Sequence, residues 1–439
     1  MRPSKNQLVK EQPQNESLLK KLPYIFYAFF SILLIHFYIN PISFSPSDNF
    51  PSTNRITISP PSSPSQEQGS SGKSGLRSTC DYTKGQWVPY NVGPSYNGTT
   101  CDTIKYGQNC MAHGRPDTDY LYWRWKPENC SLPRFDPKTF LKLLENRHVA
   151  FVGDSLARNQ LESLLCMLAT VSKPNLYWSE GEENKFRKWH FSPENVNISI
   201  YWSPFLVEGV EKTNERDFNT LHLESADERW TRDLGSIDML VLSAGHWYLL
   251  SAAYYYENTL LGCHLRENCT EIGFYDVYGR ALGTALDRVV SESRLRDSKT
   301  GPISIFLTTF SPAHFEGEWD KFGACSKTRP YAESEMALDG ANEEMWKVGV
   351  QKVREAKSRV EGHFGNNARI EALDITKLTL LRPDGHPGPY MNPFPFANGV
   401  SERVQNDCVH WCLPGPIDTW NEILLDVIKR WESENKGER

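Results

Sequence analysis

The stretch HVAFVGDSLARNQ, His148 to Gln160, changes character at a single glycine. HVAFVG (His148–Gly153) is a short, apolar, β-prone run that reads as a buried strand. LARNQLESLLCMLATV (Leu156–Val171) has the apolar spacing of a helix. A strand that hands over directly to a helix places the junction residue at the C-terminal edge of an α/β sheet, where open sheets bind ligands. That residue is Ser155. Its backbone N–H lies at the positive end of the helix and can help hold an oxyanion, and Gly153 permits a tight turn with close backbone approach. Either Asp154 or Ser155 can instead be a plain N-cap, a position both residue types favour. From this motif alone, nucleophile and cap are equally good readings.

Outward from the motif the same alternation continues. MLVLSAG (Met239–Gly245), ISIFLTTF (Ile303–Phe310) and RIEALDIT (Arg369–Thr376) read as strands, with helices at Asp276–Arg294 and Ile417–Glu432. Strands alternating with helices predict an α/β fold with a mainly parallel sheet covered on both faces. Residues 80–147, rich in Cys, Pro, Gly and aromatics, break the pattern and read as an irregular, disulfide-tied lobe; residues 148–439 are the α/β core. The block 80–439 carries all ten Cys and all 13 Trp. It is long enough to bury roughly 75% of its unfolded surface, and an even cysteine count suits a large domain of the secretory pathway.

The N-terminal end has a different composition. Residues 1–21 are basic and read as a cytoplasmic tail, and Leu22–Ile39 carries no formal charge. Eighteen helical residues span ~27 Å, which predicts a signal-anchor transmembrane helix over 22–42 with the remainder luminal. Residues 43–79 contain 12 Ser and 5 Pro and read as a flexible stem. Sequons at Asn97, Asn129, Asn197 and Asn268 fit that topology as glycosylation sites. Residues 1–79 hold 8 of the 48 Lys and Arg and 4 of the 54 Asp and Glu, so residues 80–439 carry a net charge of −10. That argues against nucleic acid and for a neutral partner.

A nucleophilic serine needs a base, and the base needs an orienting acid. Two Asp/His pairs compete: Asp407 with His410 in NDCVHWCLPG, and Asp384 with His386 in RPDGHPGPY. A three-residue spacing can put Asp407 and His410 on one side of a turn, which favours that pair; Asp384 in a Gly/Pro turn has purely local reasons to be there. Gly245, directly after a strand, offers a further oxyanion N–H, and His246 beside it reads as a wall residue or a packed ring. In Gly114–Phe135, Tyr120, Tyr122, Trp123 and Trp125 stand among Arg115, Arg124 and Arg134. As a cluster they read as a sugar-binding groove wall, one by one as core. Cys408 and Cys412 flank His410 but suit disulfides better than zinc in an oxidising lumen. No Gly-rich phosphate loop follows any strand. The expectation is no metal and no bound cofactor.

Gly153–Ser155, the Asp407–His410 D-x-x-H, the segment GRPD…YLYWRWKP…C.LPRF, SPAHFEGEWDKFGAC (Ser311–Cys325) and RPDGHPGPY together resemble the plant trichome-birefringence-like polysaccharide O-acetyltransferases, over residues 80 to about 430. Gly114–Phe135 and SAGHWY are most similar to the branch that acetylates xyloglucan. The resemblance implies an SGNH/GDSL-esterase-like three-layer sandwich, a Ser155–His410–Asp407 triad, and a type II protein of the Golgi membrane with a luminal catalytic domain. It implies oxyanion donors among Ser155, Gly245 and Asn159, with Arg158 supporting the helix end or the substrate. The acetyl donor, a co-substrate, would be acetyl-CoA or an acetylated intermediate supplied by a multi-spanning partner, and the acceptor a neutral polysaccharide. It also implies the disulfides Cys80–Cys130, Cys101–Cys166, Cys110–Cys412, Cys325–Cys408 and Cys263–Cys269.

Overall fold

A computed structural model describes residues 80–182, 185–296, 301–362, 368–401 and 403–437. In chain order its strands are β1 (Gly85–Pro89), β2 (Trp123–Pro127), β3 (His148–Gly153), β4 (Asn175–Glu180), β5 (Phe186–Phe191), β6 (Val196–Trp202), β7 (Val207–Val210), β8 (Asn219–Ala226), β9 (Met239–Ser243), β10 (Ala252–Tyr256), β11 (Thr259–His264), β12 (Ile303–Thr308) and β13 (Ala368–Leu373). The longer helices are α1 (Pro137–Leu143), α2 (Ser155–Ala169), α3 (Tyr275–Ser293), α4 (Gly340–Glu361) and α5 (Asp418–Gly437).

Seven strands form one sheet in the order β13-β12-β9-β3-β6-β5-β4. The first five are mutually parallel, while β5 and β4 extend the sheet antiparallel. β3 is therefore a central strand, and its side chains divide between the two faces with the period of two that a pleated strand imposes. Val149 and Phe151 enter the layer holding Leu161, Leu164, Trp420 and Leu424 of α2 and α5. Ala150 and Val152 enter the opposite layer, with Leu282 and Leu286 of α3 and Val353 of α4. Helices thus cover both faces, the three-layer arrangement expected. Phe151 is fully buried, and truncating such a residue costs about 3–5 kcal/mol.

Three parts of the architecture depart from the sequence reading. The segment 175–202 supplies β4–β6, and residues 207–226 and 252–264, on either side of β9, build a second, four-stranded sheet in the order β11-β10-β8-β7. The lobe is not wholly irregular, because β1 and β2 pair antiparallel with Trp87 opposite Trp125. The expected membrane-spanning helix needs correcting as well: among the described residues no helix is long and apolar enough to cross a membrane. The stretch read for it, residues 22–42, lies outside the described residues, as do the tail and the stem.

All five disulfides pair as the resemblance implied. Two of them, Cys110–Cys412 and Cys325–Cys408, close on the segment that carries His410, across sequence separations of 302 and 83.

Candidate active site

Gly153 has φ +154°, and a Cβ there would stand 1.7 Å from the Ser243 carbonyl oxygen. Only glycine lets β3 end this close to the end of β9. The next residue settles the cap. Asp154 Oδ1 accepts the Leu156 N–H at 2.9 Å, so Asp154 is the N-cap of α2 and Ser155 is its first helical residue. Burial pushes the Asp154 carboxyl up to about 6, against the pull of the Leu156 and Gly245 N–H groups. Ser155 is half-buried and its hydroxyl is not spent on capping.

Asp154 Oδ2 accepts the Gly245 N–H at 3.1 Å. Gly245 is therefore a clamp between the β9 loop and the serine motif, and its N–H is not the free oxyanion donor expected from sequence. Asn159 departs from expectation in the same way. It lies one turn beyond Ser155, is fully buried, and grips the backbone of Trp411: Oδ1 accepts the Trp411 N–H at 2.8 Å while Nδ2 donates to the Trp411 carbonyl at 3.2 Å. Residues i and i+4 share a helix face, so this grip lays the His410–Trp411 segment beside the turn that starts with Ser155. The Ser155 N–H, at the first position of α2, is one of the first helical N–H groups that lack an intrahelical acceptor.

His410 Nδ1 donates to Asp407 Oδ2 at 2.7 Å. Asp407 Oδ1 accepts the backbone N–H groups of His410 at 2.9 Å and Val409 at 3.1 Å. Burial alone would raise this carboxyl; the imidazole and these hydrogen bonds outweigh it and hold it well below the ordinary carboxylate range. Asp407 thus stays ionised and fixes the tautomer that leaves Nε2 as the base. Nε2 is buried and has no hydrogen-bond partner, so no hydrogen bond joins His410 to Ser155. Contacts of this kind commonly close only when substrate is bound.

The chain from residue 132 to 427 matches the GDSL/SGNH-like acyl-esterase family found in Pmr5 and Cas1p, and residues 78–131 match the PMR5 N-terminal domain. The chain belongs to this acyl-esterase family. Among its relatives, xyloglucan O-acetyltransferase 1 of Populus trichocarpa is 55% identical over 96% of both chains. Xyloglucan O-acetyltransferase 2 of the same species is 59% identical over 82% of this chain and 84% of its own. Xyloglucan O-acetyltransferase 1 of Arabidopsis thaliana is 48% identical over 97% and 99%.

In this acyl-esterase fold the competing pair, Asp384 and His386, has other work. Asp384 is buried in an ion pair with Arg382 at 2.7 Å, and His386 Nδ1 donates to the His410 carbonyl at 2.7 Å. The sequence reading missed His386 as a support of the site and His314 altogether, although each sits in one of the motifs quoted for the resemblance. His246 is a packed ring: Nε2 donates to the Ser311 carbonyl at 2.8 Å, the ring stacks on Phe310, and burial pushes its pKa down to about 4.

The expected groove wall is divided between core and surface. Trp125 is a core residue, 1% exposed, with its indole N–H on the Tyr82 carbonyl. Arg115 is buried too, paired with Asp117 and donating to the His386 and Asp384 carbonyls, so it braces the site instead of facing substrate. Trp123 and Arg124 remain half-exposed and line a cavity of about 70 Å³ with Arg134, Asp418 and Glu422. Arg124 also donates to the Leu132 carbonyl. Arg158 is buried over the Trp202 ring at 5.4 Å and supports α2. Of the sequon asparagines, Asn129 and Asn268 are exposed and Asn97 is half-buried in a turn. Asn197 lies in β6, between β3 and β5, with its amide oxygen on the His190 ring.

Proposed function

We propose that this chain transfers acetyl groups to hydroxyls of xyloglucan, on side-chain galactose, through an acetyl-Ser155 intermediate. The observation that carries this reading is the Asp407–His410 pair, held beside Ser155 in a chain whose relatives of 48–59% identity are xyloglucan O-acetyltransferases. His410 Nε2 takes the proton of Ser155 as Oγ adds to the acetyl carbonyl, and the Ser155 N–H receives the developing oxyanion. Collapse expels the donor's leaving group, which takes that proton from His410. The sugar hydroxyl then gives its proton to His410, attacks the acetyl-serine, and releases Ser155 as the proton returns to Oγ.

The donor is acetyl-CoA or an acetylated intermediate supplied by a multi-spanning partner. Five disulfides support work in an oxidising compartment, which we take to be the Golgi lumen. The test offers xyloglucan, mannan and xylan oligosaccharides side by side to the purified protein with an activated acetyl ester, and follows acetyl gain by mass spectrometry. Acetyl gain on xyloglucan, absent from Ser155→Ala, is the expected result. Ester consumption without glycan product would make the protein an esterase, and gain on mannan or xylan alone would move the acceptor.

A further inference from the structure

Under the D-x-x-H segment lies a pair of imidazoles that the triad does not use. His386 Nδ1 faces the His410 carbonyl at 2.7 Å, and His314 Nε2 faces the Leu380 carbonyl at 2.9 Å. A carbonyl can only accept, so each of these nitrogens carries a proton. The two remaining nitrogens, His386 Nε2 and His314 Nδ1, face each other at 2.7 Å. If both rings were neutral, two lone pairs would meet at hydrogen-bond distance. One further proton resolves the conflict and gives three protons on four nitrogens, a charge-assisted N–H···N bond of the short, strong class.

We propose that His314 and His386 are a positioning pair for His410: one shared proton locks the rings together, and the locked His386 holds the His410 carbonyl so that its ring stays aimed at Ser155.

Part of the surroundings favours a cation here. The His386 ring stacks on Trp411 at 4.2 Å and 25°, an arrangement that favours positive charge over the indole face. Asp407 and Asp384 supply negative potential to His386 and His314 respectively, and Glu316 adds to it from the loop of His314. Burial outweighs these contributions and lowers the pKa of both rings, His386 well below its ordinary value with His410 adding to the effect; what calls for the extra proton is the 2.7 Å approach of the two acceptor nitrogens. The pair is tied in on its other side as well, because the His314 N–H donates to the Cys408 carbonyl at 3.0 Å. His314 and His386 therefore grip the triad segment two residues apart, at Cys408 and at His410.

The positioning role rests on His410 being the base of the proposed acetyl transfer; the proton count does not, and the two are tested separately. In the 15N-histidine-labelled full chain at mildly acidic pH, imidazole nitrogen shifts should report three protonated nitrogens on this pair, assigned by their loss in His314→Gln and His386→Asn. Two protonated nitrogens would overturn the shared proton. Acetyl-ester turnover tests the aim. His386→Ala should lower kcat about 10- to 100-fold with KM for the ester unchanged, as a misplaced base does. His386→Asn, whose amide can still donate to the His410 carbonyl, should recover most of that loss. A folded His386→Ala with full kcat, or an Asn variant no better than Ala, would refute the positioning role. Should His386→Ala fail to fold, the Asn variant decides it by keeping kcat within about threefold of the unmodified protein or not.

Discussion

Asp407→Asn separates the triad from every other account of this site, and the structure sets its size. The carboxylate does two jobs: Oδ2 takes the His410 Nδ1–H, and Oδ1 takes the backbone N–H groups of Val409 and His410. An amide can keep only one of them. With its oxygen on the two backbone donors, its NH2 faces His410 Nδ1, which must then become an acceptor. The proton moves to Nε2 and the base is lost. The flipped amide would restore the tautomer but set an NH2 against two backbone N–H groups. Leaving two buried donors unmet costs roughly 1–3 kcal/mol each, so roughly 2–6 kcal/mol holds the variant in its inactive orientation. That converts to a fall in kcat of about 30-fold to somewhat over 10⁴-fold, the upper end matching what tautomer loss costs a serine protease triad. The assay is burst formation of acetyl-Ser155 from an activated acetyl ester, followed by mass shift of the active-site peptide, with KM read alongside. A variant that folds and keeps more than about a tenth of the native burst rate would refute the argument, because the Asp407 carboxylate would then not be setting the tautomer of His410.

The remaining predictions concern stability. Glu422 is buried, and burial raises its carboxyl to about 7 from 4.5 despite Arg124 and Arg134 nearby. Between those values the folded chain holds a proton that the unfolded chain gives up, so the native protein loses stability as pH rises through that window. Glu422→Gln removes the titration; its Tm relative to the native protein should climb with pH from 4.5 to 7, by up to about 3 kcal/mol in stability, and a flat or falling difference would contradict the shift. Trp125→Ala should cost about 3–5 kcal/mol in denaturant unfolding and leave KM for the acceptor unchanged in the fraction that folds; a raised KM at native stability would return Trp125 to the substrate groove. Replacing Cys110 and Cys412 with serine frees a loop closed across 302 residues. It should lower stability by roughly 5 kcal/mol and lower kcat with it, measured by thermal unfolding and ester turnover together.

What was legible in the sequence was local and periodic. The junction at Gly153 could be read because hydrophobic spacing changes there from strand to helix, and the strands at 239–243 and 303–308 because parallel strands buried on both faces become near-continuous apolar runs; 368–373, at the sheet edge, shows instead an alternation of apolar residues with Arg369 and Glu371. β4 and β5 gave no such signal. Asn175–Glu180 is mostly exposed and Phe186–Phe191 mixes Arg, Lys and His into the strand, the composition of a sheet edge open to solvent. α4 was readable in principle, since its buried Met345, Gly349, Val353 and Ala356 keep a helical spacing within an otherwise charged run. Trp125 also carried a signal: in WRWKP the apolar positions alternate, which places Trp125 on the inner face of a strand. Gly245 carried none. Whether its N–H is free depends on Asp154, 91 residues earlier in the chain.

The same distinction explains why the D-x-x-H motif could be chosen from sequence while its support could not. Spacing shows that Asp407 can reach His410; it says nothing about what holds the backbone between them. In the fold that backbone is fixed from several directions. Asp407 exchanges N–H and carbonyl with Gly388, Cys408 and Cys412 are bridged to other parts of the chain, His386 takes the His410 carbonyl, and Asn159 takes both polar groups of the Trp411 backbone. None of these partners is within ten residues of the segment, and each fixes a backbone atom or a sulfur, leaving the side chain that does the chemistry free to meet substrate. Within Asp407–Cys412 the buried side-chain polar atom left unpartnered is His410 Nε2. A buried acceptor without a partner is costly, and a fold that satisfies its neighbours so fully while leaving this one open is what the proposed acceptance of the Ser155 proton requires.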